Sequence, residues 1–189
     1  RRCPKKRIGF VIPKDDAGQT ETAIPVKNSN PISGEEHSMP NYNTEFSFAL
    51  LLPTQEAVSY ALKLVTIADN IRSHFGNHPT EDEPHLPEEL IDCVDDWCFE
   101  ATNYDSGIGI WIHSDSGGED AACHFVQHLL AKFGITETIT FEWASTCTKP
   151  CLDAFGGGAV LITATDIKSM TTSQWLYDQL HGPHHTAPH

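Results

Sequence analysis

The chain has 189 residues, with 26 acidic and 12 basic side chains and a formal net charge of −14. This length fits one domain with a full hydrophobic core, and no apolar run approaches the ~18 residues that span a bilayer. Without a membrane span or a secretory leader, the sequence predicts a soluble cytoplasmic protein with no membrane partner. Six cysteines are too few for a disulfide scaffold, so free thiols are expected.

The acidic charge is concentrated in the middle of the chain. Six of the 12 basic residues lie in the first fourteen positions. Between Arg72 and Lys132 there are thirteen acidic residues and no lysine or arginine. A negative field of this kind repels nucleic acid and attracts basic surfaces. The distribution therefore argues against direct nucleic-acid binding and favours a basic protein partner.

Residues 1–43 are predicted to form an extended or partly disordered N-terminal arm, because prolines interrupt each apolar run. A strand is expected over 44–52, where Phe46, Phe48 and Leu50 alternate with other residues. Thr54 then caps a predicted helix over 54–75. Residues 76–92 follow as a long acidic loop, rich in proline, whose end forms a short helical turn.

The next stretch predicts a β-hairpin and a helix. Segments 98–104 and 108–113 alternate in hydropathy on the two sides of an Asp-Ser-Gly turn. Ser116 and Glu119 have the spacing of a capping box, which predicts a helix over 117–133 that ends at Gly134. The hairpin should place Ile108, Ile110 and Ile112 towards the helices.

Two further strands, a helix and a tail complete the chain. The strands are predicted over 138–143 and 159–164, and the spacing of Thr171 and Gln174 predicts a capped helix over 172–180. Gly156, Gly157 and Gly158 lack the rest of a phosphate-binding motif, so they predict a tight entry into the second of these strands. Residues 181–189 are expected to be a disordered, His-rich tail.

These elements predict an α+β domain over 44–180. Their order contains the βαββαβ order of ferredoxin-like folds, with one extra strand and a C-terminal helix. The sheet should be mainly antiparallel, with the helices 54–75, 117–133 and 172–180 largely on one face.

The candidate binding surface combines the acidic loop with the outer side of the hairpin. An exposed Trp and Tyr on a sheet are typical of recognition surfaces. The alternative is that the arm or the acidic loop packs over this side of the sheet. The candidate residues are Glu81, Asp82, Glu83, Glu88, Glu89, Asp95 and Asp96 in the acidic segment from Glu81 to Asp96, and Glu100, Tyr104, Trp111 and His113 in the hairpin.

A metal site is the alternative chemistry. His124 and His128 lie one helical turn apart, with Asp120 on the same flank, and such a group could serve a metal-dependent, hydrolase-like enzyme. No metal-binding motif supplies a further ligand, so a solvated polar flank is the favoured interpretation and no cofactor is expected. Cys147 and Cys151 do not have CxxC spacing and are interpreted as inert or mutually oxidisable thiols.

The sequence therefore favours a non-enzymatic acidic interaction module that binds a basic protein surface. An inhibitor, or a decoy that mimics nucleic acid, would be one use of such a module. Its oligomeric state is left open by the sequence.

Overall fold

A computed structural model of the chain describes residues 41–73, 85–149, 151–152 and 154–182. The predicted arm lies outside this range apart from its last three residues, as does the predicted tail beyond Gly182. The strands are β1 (Tyr42–Leu51), β2 (Glu100–Asn103), β3 (Gly109–Ser114), β4 (Ile139–Cys147), β5 (Gly156–Ile162) and β6 (Ile167–Thr171). The helices are α1 (Gln55–Ser73), α2 (Glu88–Ile91), α3 (Glu119–Phe133) and α4 (Thr172–His181).

The six strands form one antiparallel sheet in the order β2-β3-β1-β4-β5-β6. The predicted α+β class and antiparallel sheet are confirmed. The exact ferredoxin-like order is not matched, because β4, which would form an edge of a four-stranded βαββαβ sheet, pairs with β5 and lies inside this sheet. Two strands extend the sheet rather than the one predicted. β6 escaped prediction because its residues, Ile-Lys-Ser-Met-Thr, show no clear alternation of apolar and polar side chains.

The core lies between one face of the sheet and helices α1 and α3. Phe46 and Leu50 of β1 point into it, and Phe48 stacks on Phe141 of β4 with ring centroids 4.3 Å apart. Both helices bury an apolar stripe against this face, as their periodicity predicts. By contrast, α4 has no buried residue.

Hydrogen bonds and glycine conformation set the helix ends. The Thr54 hydroxyl accepts from the Ala57 amide at 3.2 Å, and the Thr171 hydroxyl accepts from the Gln174 amide at 3.1 Å, as predicted. The predicted Ser116–Glu119 capping box is wrong, because the N-cap of α3 is Gly118 with φ +85°. A side chain at Gly118 would lie 2.8 Å from the Cys98 amide nitrogen, so this close approach requires glycine.

Three further expectations are corrected. β5 begins at Gly156, so the three glycines belong to the strand rather than precede it. Ile108 is 50 % exposed, although Ile110 and Ile112 are buried as predicted. Cys98 is disulfide-bonded, whereas Cys93, Cys123, Cys147 and Cys151 are free thiols. The expectation of free thiols is therefore wrong for Cys98.

Candidate binding face

The face of the sheet turned away from α1 and α3 is exposed along β1 to β5, and we call it the open face. Strand register shows which side chains share it, since Trp111 lies across from both Ala49 and Thr102, and His113 lies across from both Ser47 and Glu100. The register extends the open face onto Lys168 and Met170 of β6. From β1 to β5 the open face carries Glu45, Ser47, Ala49, Leu51, Glu100, Thr102, Trp111, His113, Thr140, Glu142, Ala144, Gly157, Ala159 and Leu161.

Trp111 is the largest side chain at the centre of the open face. Its indole stacks on the His113 ring with centroids 3.9 Å apart, and its Nε1 donates a hydrogen bond to the Ser47 hydroxyl at 2.8 Å. The side chain nevertheless remains 41 % exposed. These two contacts hold the indole in one orientation and leave a flat aromatic surface open to a ligand.

An acidic cavity of about 580 Å³ lies beside the Trp111–His113 pair. Glu45, Glu100 and Asp115 line it together with His113, and neither a lysine nor an arginine of the described residues takes part. His113 Nε2 lies 3.9 Å from the Glu100 carboxylate, and Glu45 accepts a hydrogen bond from the Thr146 hydroxyl at 3.0 Å. The cavity therefore brings three carboxylates from separate parts of the chain next to an aromatic surface.

Short hydrogen bonds hold the cavity wall in place. The Ser114 hydroxyl donates to the Cys98 carbonyl at 2.6 Å and accepts from the Ser116 amide at 3.1 Å. The Gly117 amide donates to the Thr44 carbonyl at 3.0 Å, which ties the segment to β1. The wall is therefore formed before any ligand arrives, which lowers the entropy lost on binding.

The predicted binding residues fall into separate groups. Glu100, Trp111 and His113 lie on the open face as expected, and Tyr104 lies half-buried just after β2. The acidic residues 88–89 belong to α2, which packs on α3 in the helix layer. Residues 95–96 lie in a short 3-10 helix, Val94–Asp96, that contacts α1 and α3. Glu81, Asp82 and Glu83 lie outside the described residues. The predicted combined surface is thus divided between the helix layer and the open face.

Glu89 has a structural partner rather than a free carboxylate. Its Oε1 lies 2.8 Å from His128 Nδ1, and His128 Nε2 lies 2.9 Å from the Tyr60 hydroxyl. A hydrogen bond from its own backbone amide and the bond to His128 lower the pKa of Glu89. The Lys132 ammonium lies over the Tyr60 ring, 4.5 Å from its centroid.

The predicted alternative metal set, His124, His128 and Asp120, does not form a ligand cage. Both ring nitrogens of His128 already contact protein groups, and His124 is exposed. Within the described ranges there is no group of three or more His, Cys, Asp or Glu side chains that could hold a metal ion. The arrangement gives no geometric support to the metal-dependent alternative.

Acidic side chains also surround the start of α3. Burial raises the pKa of Glu119, and the nearby Asp120 and Asp96 raise it further. Burial, followed by the charges of Asp120 and Glu119, raises the pKa of the Cys123 thiol to about 12. This cluster therefore makes Cys123 a poor nucleophile.

A second group of nucleophilic side chains lies at the far end of β4. Cys147 pairs with Tyr42 across the ladder, and the Cys151 thiol is close enough to raise the pKa of Tyr42, with burial and Cys147 adding to the shift. The spacing of the two thiols does not predict that Tyr42 lies beside them. Its proximity follows only from the pairing of β1 with β4.

The cavity residues that were absent from the sequence-based candidates include Glu45, Ser47 and Asp115. Glu45 and Ser47 alternate with Phe46 and Phe48, so the period of the strand does place them on the exposed side. No local signal shows that β1 lies beside β3, and that pairing alone brings them to His113.

Among the described helices, none is long and apolar enough to cross a membrane. The chain matches no protein-family model, no curated protein and no solved structure.

Proposed function

We propose that this protein is a non-enzymatic interaction module that binds a basic protein segment on its open face. The observation that carries the proposal is the acidic cavity beside the Trp111–His113 pair, where Glu45, Glu100 and Asp115 come together. A carboxylate group of this kind is complementary to an arginine or lysine side chain.

The aromatic surface adds a second source of affinity. A guanidinium or ammonium group over an indole face contributes about 0.5–2 kcal/mol, with the larger values at desolvated sites. Trp111 is held by His113 and Ser47 and exposes its ring next to the carboxylates. One basic side chain in the cavity and one over the indole would therefore be recognised by neighbouring parts of the same face.

Charge over the whole chain supports the same partner. The net charge of −14 attracts a basic protein at long range, and this steering speeds association at low salt. A basic surface that normally holds nucleic acid would meet the same carboxylates. We therefore propose inhibition of such a partner, by competition with its nucleic acid, as the consequence of binding.

A peptide titration tests the proposal. A hexa-arginine peptide is titrated into the full chain by calorimetry at several salt concentrations, and binding should weaken at least tenfold between about 50 and 200 mM salt because exposed charges are screened. The double variant Glu45→Gln/Glu100→Gln should bind about tenfold more weakly, since two carboxylates are neutralised.

Glu88→Gln/Asp92→Asn is the matched control. Both residues are exposed carboxylates at α2, away from the open face, so their neutralisation removes the same two charges without touching the cavity. Its affinity should stay within about twofold of the wild type. Equal loss in the control and in Glu45→Gln/Glu100→Gln would show that only net charge matters, and unchanged binding by Glu45→Gln/Glu100→Gln would refute the open-face site.

A further inference from the structure

A second surface differs from the rest of this acidic chain in both charge and hydropathy, and we call it the β6–α4 surface. β6 forms one edge of the sheet in the described part of the chain. Exposed apolar side chains lie on β6 and α4, with Met170 at 50 %, Trp175 at 48 %, Leu176 at 54 % and Leu180 at 79 %. Exposed apolar groups of this size beside an edge strand are typical of an interface.

The β6–α4 surface is close to neutral. With His181 counted as neutral, residues 156–182 carry the charges of Asp166, Asp178 and Lys168, so they hold one formal negative charge of the chain's −14. Lys168 Nζ lies 3.6 Å from the Asp166 carboxylate, which offsets that pair locally. Glu142 of β4 adds one carboxylate, which lines a groove with Met170 and Trp175. A basic partner thus finds less complementary charge here than at the acidic cavity, and an identical copy meets little repulsion.

The hydrogen bond that closes the β5–β6 hairpin shows which backbone groups of β6 point away from β5. The Thr163 amide donates to the Asp166 carbonyl at 2.8 Å, so these two residues form a hydrogen-bonded pair. Such pairs alternate along an antiparallel ladder. The amides and carbonyls of Lys168 and Met170 therefore point towards β5, and those of Ile167, Ser169 and Thr171 point to the outer edge.

We infer that a second copy of this chain binds at the β6 edge, with the two β6 strands antiparallel about a two-fold axis at Ser169. An antiparallel pair is self-complementary, as a two-fold interface requires. Ile167 then lies across from the partner copy's Thr171, and Lys168 across from its Met170, so no like charges are directly opposed. The two sheets become one continuous sheet, and both α4 helices lie close to the join.

The opposite edge of the sheet is less suited to self-pairing. β2 carries Glu100, and it lies beside the acidic cavity described above. Two copies joined there would bring their carboxylates together at a cost in repulsion. Charge therefore favours β6 as the edge for a second copy, and the acidic cavity at the other end of the open face stays accessible to the proposed basic partner.

Sedimentation of the full chain tests this interface. The wild type should shift from 20.9 kDa to twice that mass as its concentration rises over about 1–200 µM, because association follows mass action. Ser169→Pro removes an outward-pointing amide from each copy without removing a β5–β6 hydrogen bond, and proline is tolerated on edge strands. It should raise the dissociation constant at least about 30-fold, since two intermolecular hydrogen bonds are lost.

Ser169→Ala is the control, since it keeps the amide and should associate like the wild type. Circular dichroism shows whether Ser169→Pro folds. If it does not, Trp175→Glu, which leaves β6 unchanged, decides instead and should weaken the dimer at least about tenfold. The proposal would be overturned if the wild type stayed at 20.9 kDa throughout. It would also be overturned if a folded Ser169→Pro variant associated as tightly as the wild type, or if Trp175→Glu left the dissociation constant unchanged.

The effect of salt distinguishes this dimer from the proposed binding of a basic partner, which should weaken as salt rises. Raising salt to about 0.5 M should leave the dimer unchanged or strengthen it, because screening reduces the general repulsion between two acidic chains. A dimer that dissociates steeply with salt would contradict pairing at a neutral edge.

Discussion

Both ring nitrogens of His128 make hydrogen bonds, and Nδ1 lies 2.8 Å from the carboxylate of Glu89 on α2. The His128 side chain is only 9 % exposed, whereas that of Glu89 is 63 % exposed. Through Tyr60, the same ring also contacts α1. One histidine thus joins the short helix α2 to the two helices that cover the sheet.

Loss of the Glu89 carboxylate should loosen α2. Glu89→Ala is expected to lower the free energy of unfolding by about 0.5 kcal/mol, a small value because much of the side chain is in water. Glu88→Ala, on the same helix but without this bond, should have no measurable effect. Urea unfolding of both variants at pH 7 measures the difference, and equal stabilities would contradict the role of the Glu89–His128 pair.

The pH dependence of this effect follows from the lowered pKa of Glu89. In the unfolded chain the carboxyl titrates near its ordinary value of 4.5, and in the folded protein it titrates lower. The stabilisation is therefore fully present above that ordinary value and is lost as the pH falls through the folded pKa. Unfolding of wild type and Glu89→Ala near pH 3 should show a smaller difference than at pH 7.

Gly158 should not tolerate a side chain. A Cβ there would collide with the Trp143 ring and lie 2.5 Å from the Met170 carbonyl oxygen. Gly158→Ala should therefore cost at least about 2 kcal/mol of stability, as expected for overpacking against backbone. Gly107→Ala is the control, because its nearest neighbour, Leu51, lies at an ordinary 3.5 Å. Similar thermal midpoints for the two variants would contradict the close packing of the Trp143 ring on Gly158.

Replacement of a buried and of an exposed tryptophan should have different effects on stability and on peptide binding. Trp97 is fully buried, so Trp97→Ala should cost about 3–5 kcal/mol. Trp111 is 41 % exposed on the open face, so Trp111→Ala should cost less than about 1 kcal/mol yet weaken hexa-arginine binding about fivefold. Thermal unfolding and calorimetry measure both effects. Undiminished peptide binding by Trp111→Ala would remove the aromatic surface from the proposed site.

Thiol reactivity should follow burial and local charge. With a pKa of about 12, only about one Cys123 thiol in ten thousand is ionised at pH 8. Iodoacetamide at that pH should leave Cys123 unmodified while it alkylates the less buried Cys147 and Cys151. Peptide mass spectrometry gives the extent of reaction, and the same reagent in guanidinium chloride provides the control. Comparable rates for Cys123 and Cys147 in the folded protein would contradict the buried environment of Cys123.

Local elements were predictable where the signal lies within a few residues. The alternation of Phe46, Phe48 and Leu50 predicts β1, and the Thr54 hydroxyl predicts the start of α1. Gly134 ends α3 with φ +63°, as its position suggests. Gly118 was not predicted as the N-cap, because its conformation depends on the backbone of Asp96 and Cys98 rather than on its neighbours in sequence.

The sequence by itself determined the half-buried strands, most helix boundaries and the acidic charge, because these depend on side-chain period and composition. Only the tertiary structure decided that β1 lies between β3 and β4, which brings Glu45 to Glu100 and His113, and that Glu89 meets His128 from 39 residues away. Such contacts form when the whole apolar face of the sheet is buried at once. Their partners are therefore chosen by the packing of the core, which no local pattern records.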